Sequence, residues 1–268
     1  RCAPATLRKR DRMAAVIETE SSSEPSTRAW VDASLRRSFG ALDEEGIRRR
    51  YAAENEFEFV PDFVEPAMLA RLRSELTQPT LKVHRSKLPF VRKAGHIGWR
   101  ALQKRAPTVV ALYESQVFLD WMSDLVGAPM YLKHPEDDHA CAAYVYTKRG
   151  DGMQYHYDTC GCEEGTSYTM IVSIVDDSSQ RFLAKLHKDD PSRANQALSL
   201  QTTPGGAVIF CGSKVWHAVS PLGTGERRLV LSLSYATKPT MSHQRRLSEN
   251  VKDAVLYFGP SALLQRNF

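Results

Sequence analysis

The sequence predicts a mainly β fold, a double-stranded β-helix of the jelly-roll or cupin type, behind a helical N-terminal layer. Two observations carry this. After residue 140 the chain breaks into eight short β-prone stretches, separated by Gly, Pro, Asp and Ser, and such a pattern closes into a two-sheet barrel. Before residue 140, apolar residues recur mostly at helical spacing.

Residues 14–28 are polar and aperiodic, with Glu18, Glu20, Ser21 to Ser23, Glu24 and Pro25. Residues 1–38 are therefore expected to be a disordered or mobile lead-in, and 39–268 a single domain. Leu42 to Tyr51 suits a short helix. Glu56 to Val60 alternates as a strand, with Phe57 and Phe59 on one face. Glu65 to Leu76 suits an amphipathic helix with Pro66 in its first turn and Met68, Leu69, Leu72 and Leu76 on one side. Residues 107–126 carry the strongest helical period, and Gly127 stands where a C-terminal cap belongs. The strand candidates that follow are 140–147, 153–157, 167–175, 181–187, 197–203, 206–211, 215–219 and 227–235. A last helical segment is expected near Ser242 to Tyr257, as a C-terminal extension of the domain.

The chain has 268 residues, 42% of them hydrophobic and 25% charged, values ordinary for a soluble globular protein. The net charge of +5 suits an anionic ligand but is too small to argue for nucleic acid. No apolar run approaches the length of a membrane span. The five cysteines, Cys2, Cys141, Cys160, Cys162 and Cys211, do not form a disulfide-framework pattern, which favours a reducing, cytoplasmic setting. Residues 76–113 hold no acid and eight Lys or Arg, with Phe90 and Trp99 among them. That run reads first as a solvated face, then as a clamp for a carboxylate, and last as a nucleic-acid surface.

His156-Tyr157-Asp158, followed by His217 and then Arg227-Arg228, is the densest chemistry in the chain. Two imidazoles and one carboxylate are the ligand set of a mononuclear non-haem iron(II) site, which leaves other coordination positions open. His156 and Asp158 are two residues apart, so on a strand they share a face. His217 follows the turn and apolar run from Gly205 to Phe210, and the stretch from His217 to Arg228 reads as strand, turn, strand, which puts the two on adjacent strands. Arg227 and Arg228 point to opposite faces; the face of Arg228, Val230, Ser232 and Ser234 is taken as inward. A lone His on an apolar strand is more often a packed or surface residue than a ligand, and it is the order, the spacing and Arg228 together that single these residues out. Structural zinc would want four ligands, usually with Cys; Cys160 and Cys162 read instead as loop residues.

At these residues the chain resembles the iron(II)/2-oxoglutarate-dependent dioxygenases, over about residues 56–237. The segment from Tyr146 to Asp158 looks like the prolyl-hydroxylase-type pattern, in which a Tyr ten residues before the first His binds the cosubstrate. The resemblance implies iron(II) held by His156, Asp158 and His217 as the catalytic centre, 2-oxoglutarate as cosubstrate, and consumption of dioxygen. It implies that Tyr146 contacts 2-oxoglutarate, that Arg228 pairs with its distal carboxylate through a planar bidentate fork, and that Ser173 adds a second hydroxyl.

The segments Asp137 to Ala142 and Pro221 to Arg228 look most like the free-amino-acid halogenase and hydroxylase branch, including fungal relatives that close an aziridine ring. This implies a small-molecule substrate, a free amino acid, with Asp137 or Asp138 at its ammonium, Arg92 at its α-carboxylate, and Ser232 and Ser234 in contact with it. Halogenases of this branch have a small residue where this chain has Asp158, so hydroxylation or cyclisation is implied instead. The run from His134 to His139 also reads simply as an acidic surface loop. The rival readings are a protein hydroxylase of prolyl-hydroxylase type, a nucleic-acid demethylase and a non-catalytic ligand-binding barrel.

Overall fold

The computed structural model describes residues 25–85, 92–133, 137–158 and 165–238. The C-terminal segment near Ser242 to Tyr257, Cys160 and Cys162 lie outside the described residues.

The chain opens with α1 (Thr27–Gly40) and α2 (Glu44–Ala53), then β1 (Phe57–Val60) and α3 (Pro66–Leu76). Short strands β2 (His84–Arg85), β3 (Arg92–Lys93) and β4 (Gly95–Ile97) lead to α4 (Trp99–Arg105), α5 (Pro107–Tyr113) and α6 (Gln116–Val126). After β5 (Tyr131–Leu132) come β6 (Cys141–Tyr146), β7 (Gly152–His156), β8 (Ser167–Asp177), β9 (Phe182–Leu186), β10 (Gln196–Leu200), β11 (Ala207–Cys211), β12 (Trp216–Val219) and β13 (Arg227–Ala236). Each strand expected after residue 140 is present, with its ends moved by a few residues.

The strands form two sheets. The larger has the order β1-β11-β8-β13-β6-β4-β2, with β5 beside β13, and the smaller β10-β9-β12-β7-β3. Their pairings are antiparallel. The alternation along β13 shows how the layers stack. Leu229, Leu231, Leu233 and Tyr235 pack in the main core with the helices, whereas Val230 packs with Tyr146, Val219 and Leu222 between the sheets. A second inter-sheet cluster joins Phe57, Val208 and Phe210 to Phe182, Ala184 and Leu186. Period-two side chains therefore build a helix-backed outer face and a barrel interior from one strand.

Two helical expectations need correction. The lead-in does not extend to residue 38, because Thr27–Gly40 is helical and buries Val31, Leu35 and Phe39 at a spacing of four. Ser26 caps it through Ala29 N–H. The single helix expected over 107–126 is two helices. Ser115 interrupts it, accepting from Phe118 N–H as the cap of α6 and donating to Asp32 at 2.5 Å. Gly127 does close α6 in the left-handed conformation, φ 73°.

Phe118 lies at the centre of the helix layer, fully buried against Phe39, Phe63, Trp121 and Tyr235. Phe118→Ala is expected to cost about 3–5 kcal/mol, the range for emptying a large aromatic site. Urea unfolding measures this, and a loss below about 1 kcal/mol would mean that the layer is loosely packed.

The basic run also changes character. Trp99 is buried and packs on Tyr113 at 5.0 Å, and Arg92 on β3 is buried as well. Trp99 is therefore turned inward and is not available as a stacking platform for nucleic acid.

Candidate metal centre

The three expected ligands converge. His156 ends β7 and His217 lies directly opposite it on β12, with ring centroids 4.2 Å apart. Asp158 lies past the end of β7 and returns to the same point, so the two-residue alternation of a strand is not what aligns it. Its N–H donates to the Gly212 carbonyl at 2.9 Å, and Thr169 Oγ1 donates to its Oδ2 at 2.8 Å. Asp158 Oδ1 is then 3.4 Å from His156 Nε2 and 3.8 Å from His217 Nε2. One ligand atom from each residue falls within 4.8 Å of the others.

The donor atoms are also in the right chemical state. His156 Nδ1 faces the Gln154 carbonyl at 2.9 Å, and His217 Nδ1 faces the Val215 carbonyl at 3.1 Å. A carbonyl only accepts, so each Nδ1 donates its proton there and each Nε2 is turned toward the centre. Burial lowers the pKa of His217 despite the opposing pull of Asp158, which keeps this imidazole neutral and able to bind metal. Burial alone would raise the pKa of Asp158, but His217, His156 and Thr169 outweigh it and hold the carboxyl well below the usual range. The result is an anionic oxygen with two imidazole nitrogens gathered at one point, a donor set that fits iron(II).

Gly212 makes this geometry possible. A Cβ there would lie 2.7 Å from Asp158 Cβ and 2.9 Å from its carbonyl oxygen. Gly212→Ala is expected to push Asp158 out of line and weaken iron(II) binding by about 10–100-fold, the range for disturbing groups that orient a ligand. Calorimetric metal titration reads this directly, and unchanged affinity would mean that Asp158 tolerates displacement.

The expected cosubstrate residues lie between the sheets. Arg228, Tyr146 and Asp176 are cross-strand neighbours on β13, β6 and β8. Arg228 is buried, while Arg227 is exposed and bonds Asp177 at 2.6 Å, which settles the choice of face. His217 and Arg228, however, belong to opposite sheets and not to adjacent strands. Arg228 donates one hydrogen bond, Nη2 to Thr202 Oγ1 at 3.1 Å, and its Nε is 3.5 Å from Asp176 Oδ2. Among the described residues Nε and Nη1 have no hydrogen-bond partner, nor does the buried Ser173 Oγ. Buried donors of this kind normally face an acceptor, and a carboxylate oxygen would supply one. Burial raises the pKa of Tyr146, with Arg92 and Arg228 opposing it, so its phenol stays protonated.

The residues expected at the substrate are more scattered. The Arg92 guanidinium stacks over Tyr144 at 3.9 Å, inside the barrel next to the His156 strand. Ser232 and Ser234 are buried on the inward face, and the Ser234 hydroxyl meets that of Ser167 at 3.2 Å. Asp138 Oδ1 accepts from Arg100 N–H at the start of α4, and Asp137 Oδ1 accepts from His139 N–H within its own turn. Both carboxylates thus have local structural partners. Thr169, Gly212, Thr202 and Asp176 were not singled out in the sequence, where nothing but their three-dimensional neighbours distinguishes them from other strand and turn residues.

No family model and no curated protein matches this chain. Solved structures do. The carbocyclase SnoK of nogalamycin biosynthesis, described as non-heme and alpha-ketoglutarate-dependent, superposes with TM-score 0.60 at 13% identity, over 78% of this chain and 92% of its own. The epimerase SnoN of the same biosynthesis gives 0.57 at 16%, over 72% and 80%. A Pseudomonas putida prolyl-4-hydroxylase gives 0.51 at 13%, over 72% and 97%. The fold is that of the 2-oxoglutarate oxygenases. SnoN has also been solved with Fe3+, alpha ketoglutarate and nogalamycin RO. No helix among the described residues is long and apolar enough to cross a membrane.

Proposed function

We propose that this protein is a non-haem iron(II)/2-oxoglutarate-dependent oxygenase that oxidises an unactivated C–H bond of a small molecule, in the first instance a free amino acid. The observation that carries the reading is the convergence of His156, Asp158 and His217, with both Nε2 atoms aimed at one point. Arg228 and Ser173, with unspent buried donors in the same barrel, support 2-oxoglutarate as the anion beside the metal. When bound, iron and 2-oxoglutarate supply the activation of dioxygen. The chain's own part is to hold the metal at three side chains, anchor the distal carboxylate at Arg228, and keep water from the reacting carbon with the apolar walls of the barrel.

The free-amino-acid reading, with hydroxylation or a cyclisation such as aziridine formation as the outcome, rests on the resemblance at Asp137 to Ala142 and Pro221 to Arg228. Its support in the barrel is Arg92, a buried guanidinium suited to a substrate carboxylate. Asp158 keeps a carboxylate where a halide would bind, which favours oxygenation over halogenation. A second reading, hydroxylation of a peptide side chain, is favoured by the likeness to the P. putida prolyl-4-hydroxylase.

Anaerobic addition of iron(II) and 2-oxoglutarate is expected to give a weak visible charge-transfer band. Succinate release, screened over free amino acids and over proline-containing peptides, then separates the two readings. Absence of the band would sink both.

A further inference from the structure

Asp176 is a buried acid set beside the very arginine that is to receive an anion. Its side chain is 1% exposed and that of Arg228 is 2% exposed. As a simple ion pair the contact is poor, since the Arg228 Nε to Asp176 Oδ2 separation of 3.5 Å is too long for a strong charge-assisted bond. Asp176 is held elsewhere. Ser178 Oγ donates to its Oδ1 at 2.6 Å, and Thr202 Oγ1 donates to its Oδ2 at 2.9 Å.

Thr202 decides what this means. A hydroxyl has one proton and two lone pairs. The Thr202 proton is spent on Asp176 Oδ2. The lone pair that remains faces Arg228 Nη2 at 3.1 Å. Thr202 therefore cannot donate to a cosubstrate; it can only fix the guanidinium. Ser173, whose Oγ has no partner among the described residues, is a hydroxyl still able to donate.

We infer that Asp176, through the Thr202 hydroxyl, is a positioning residue that fixes the plane of the Arg228 guanidinium, so that Nη1, which has no hydrogen-bond partner among the described residues, is presented to the distal carboxylate of 2-oxoglutarate. The inference rests on the proposed oxygenase reading. The bulge between Leu229 and Val230 fits this role. It shifts the register of β13 against β8 just above the Arg228–Asp176 pair, and bulges re-aim side chains.

The test is calorimetric titration of 2-oxoglutarate into the manganese(II)-loaded protein, which reads binding without turnover. Asp176→Ala frees the Thr202 proton and is expected to weaken 2-oxoglutarate by about tenfold, the worth of one hydrogen bond to a charged group. Asp176→Asn keeps an acceptor for Thr202 and is expected to restore near wild-type affinity. Thr202→Val breaks the same relay from the other side and should match Asp176→Ala. The double variant should be no worse than either single one, because both remove one device. Manganese affinity at His156, Asp158 and His217 should stay unchanged in all of them.

Wild-type protein that binds manganese but no 2-oxoglutarate overturns the inference together with the oxygenase reading. Wild-type binding with Thr202→Val equal to it overturns the relay alone, and Thr202→Val decides the matter even if Asp176→Ala fails to fold. Fully additive losses in the double variant, or Asp176→Asn as weak as Asp176→Ala, overturn it as well.

Discussion

The Asp158→Gly variant is expected to bind iron(II) more than about 100-fold more weakly and to release no succinate above background, because changes one step further from a metal typically cost 10–100-fold. Asp158 is the one anionic member of the candidate set, and its charge would offset that of the metal. Its pKa is already held well below the usual carboxylate range by His217, His156 and Thr169 against the opposing effect of burial, so no proton competes for it at neutral pH. Removing the side chain also leaves two imidazoles facing an open position. Added formate should occupy that position and recover part of the metal affinity, which a merely unfolded variant could not do. Thr169→Val keeps the carboxylate but removes the hydroxyl that donates to its Oδ2, and should fall between wild type and Asp158→Gly. Metal titration and succinate release measure all three proteins. A fully active Asp158→Gly variant would show that Asp158 is not a ligand.

The convergence of His156, Asp158 and His217 was legible because their chemistry is rare and their order along the chain carries information. The fold was legible because alternation and turn residues mark each strand from Cys141 to Ala236 separately. What escaped was set by contacts between distant segments. Gly212 looks like any turn glycine until Asp158 is found packed on its backbone. Thr202 and Asp176 lie 26 residues apart and meet only because β11, which follows Thr202, returns beside β8. The basic run misled in another way. Charge and aromatic content along residues 76–113 gave no hint that Trp99 and Arg92 turn inward, since that is decided by the short strands β3 and β4 and by α4, each too brief to show a period. The helix Thr27–Gly40 was hidden by its neighbours: the polar stretch before it masked the regular spacing of Val31, Leu35 and Phe39.

Arg228→Met is expected to raise the Kd of 2-oxoglutarate by about 100-fold or more, since truncating one partner of a buried, hydrogen-bonded charge pair costs roughly 2–5 kcal/mol and each 1.4 kcal/mol is a factor of ten. The guanidinium donors are lost, and so is the positive charge opposite Asp176. That second loss has its own cost. An unpaired buried carboxylate destabilises by roughly 3–5 kcal/mol, so Arg228→Met on its own could lose affinity merely by losing its fold. Two companion variants separate the causes. Arg228→Lys keeps the charge beside Asp176 and therefore the fold, but offers a point charge in place of a planar pair of donors; its Kd should rise by about tenfold. Arg228→Met combined with Asp176→Asn removes both charges, so thermal stability should return towards wild type while 2-oxoglutarate binding stays lost. Iron binding at the three ligands should survive in each folded variant, because Arg228 lies on the opposite sheet from His156 and His217. If the stable double variant bound 2-oxoglutarate as well as wild type, the anchor would have to be another cation in the barrel, and Arg92, stacked over Tyr144, would be the group to replace next.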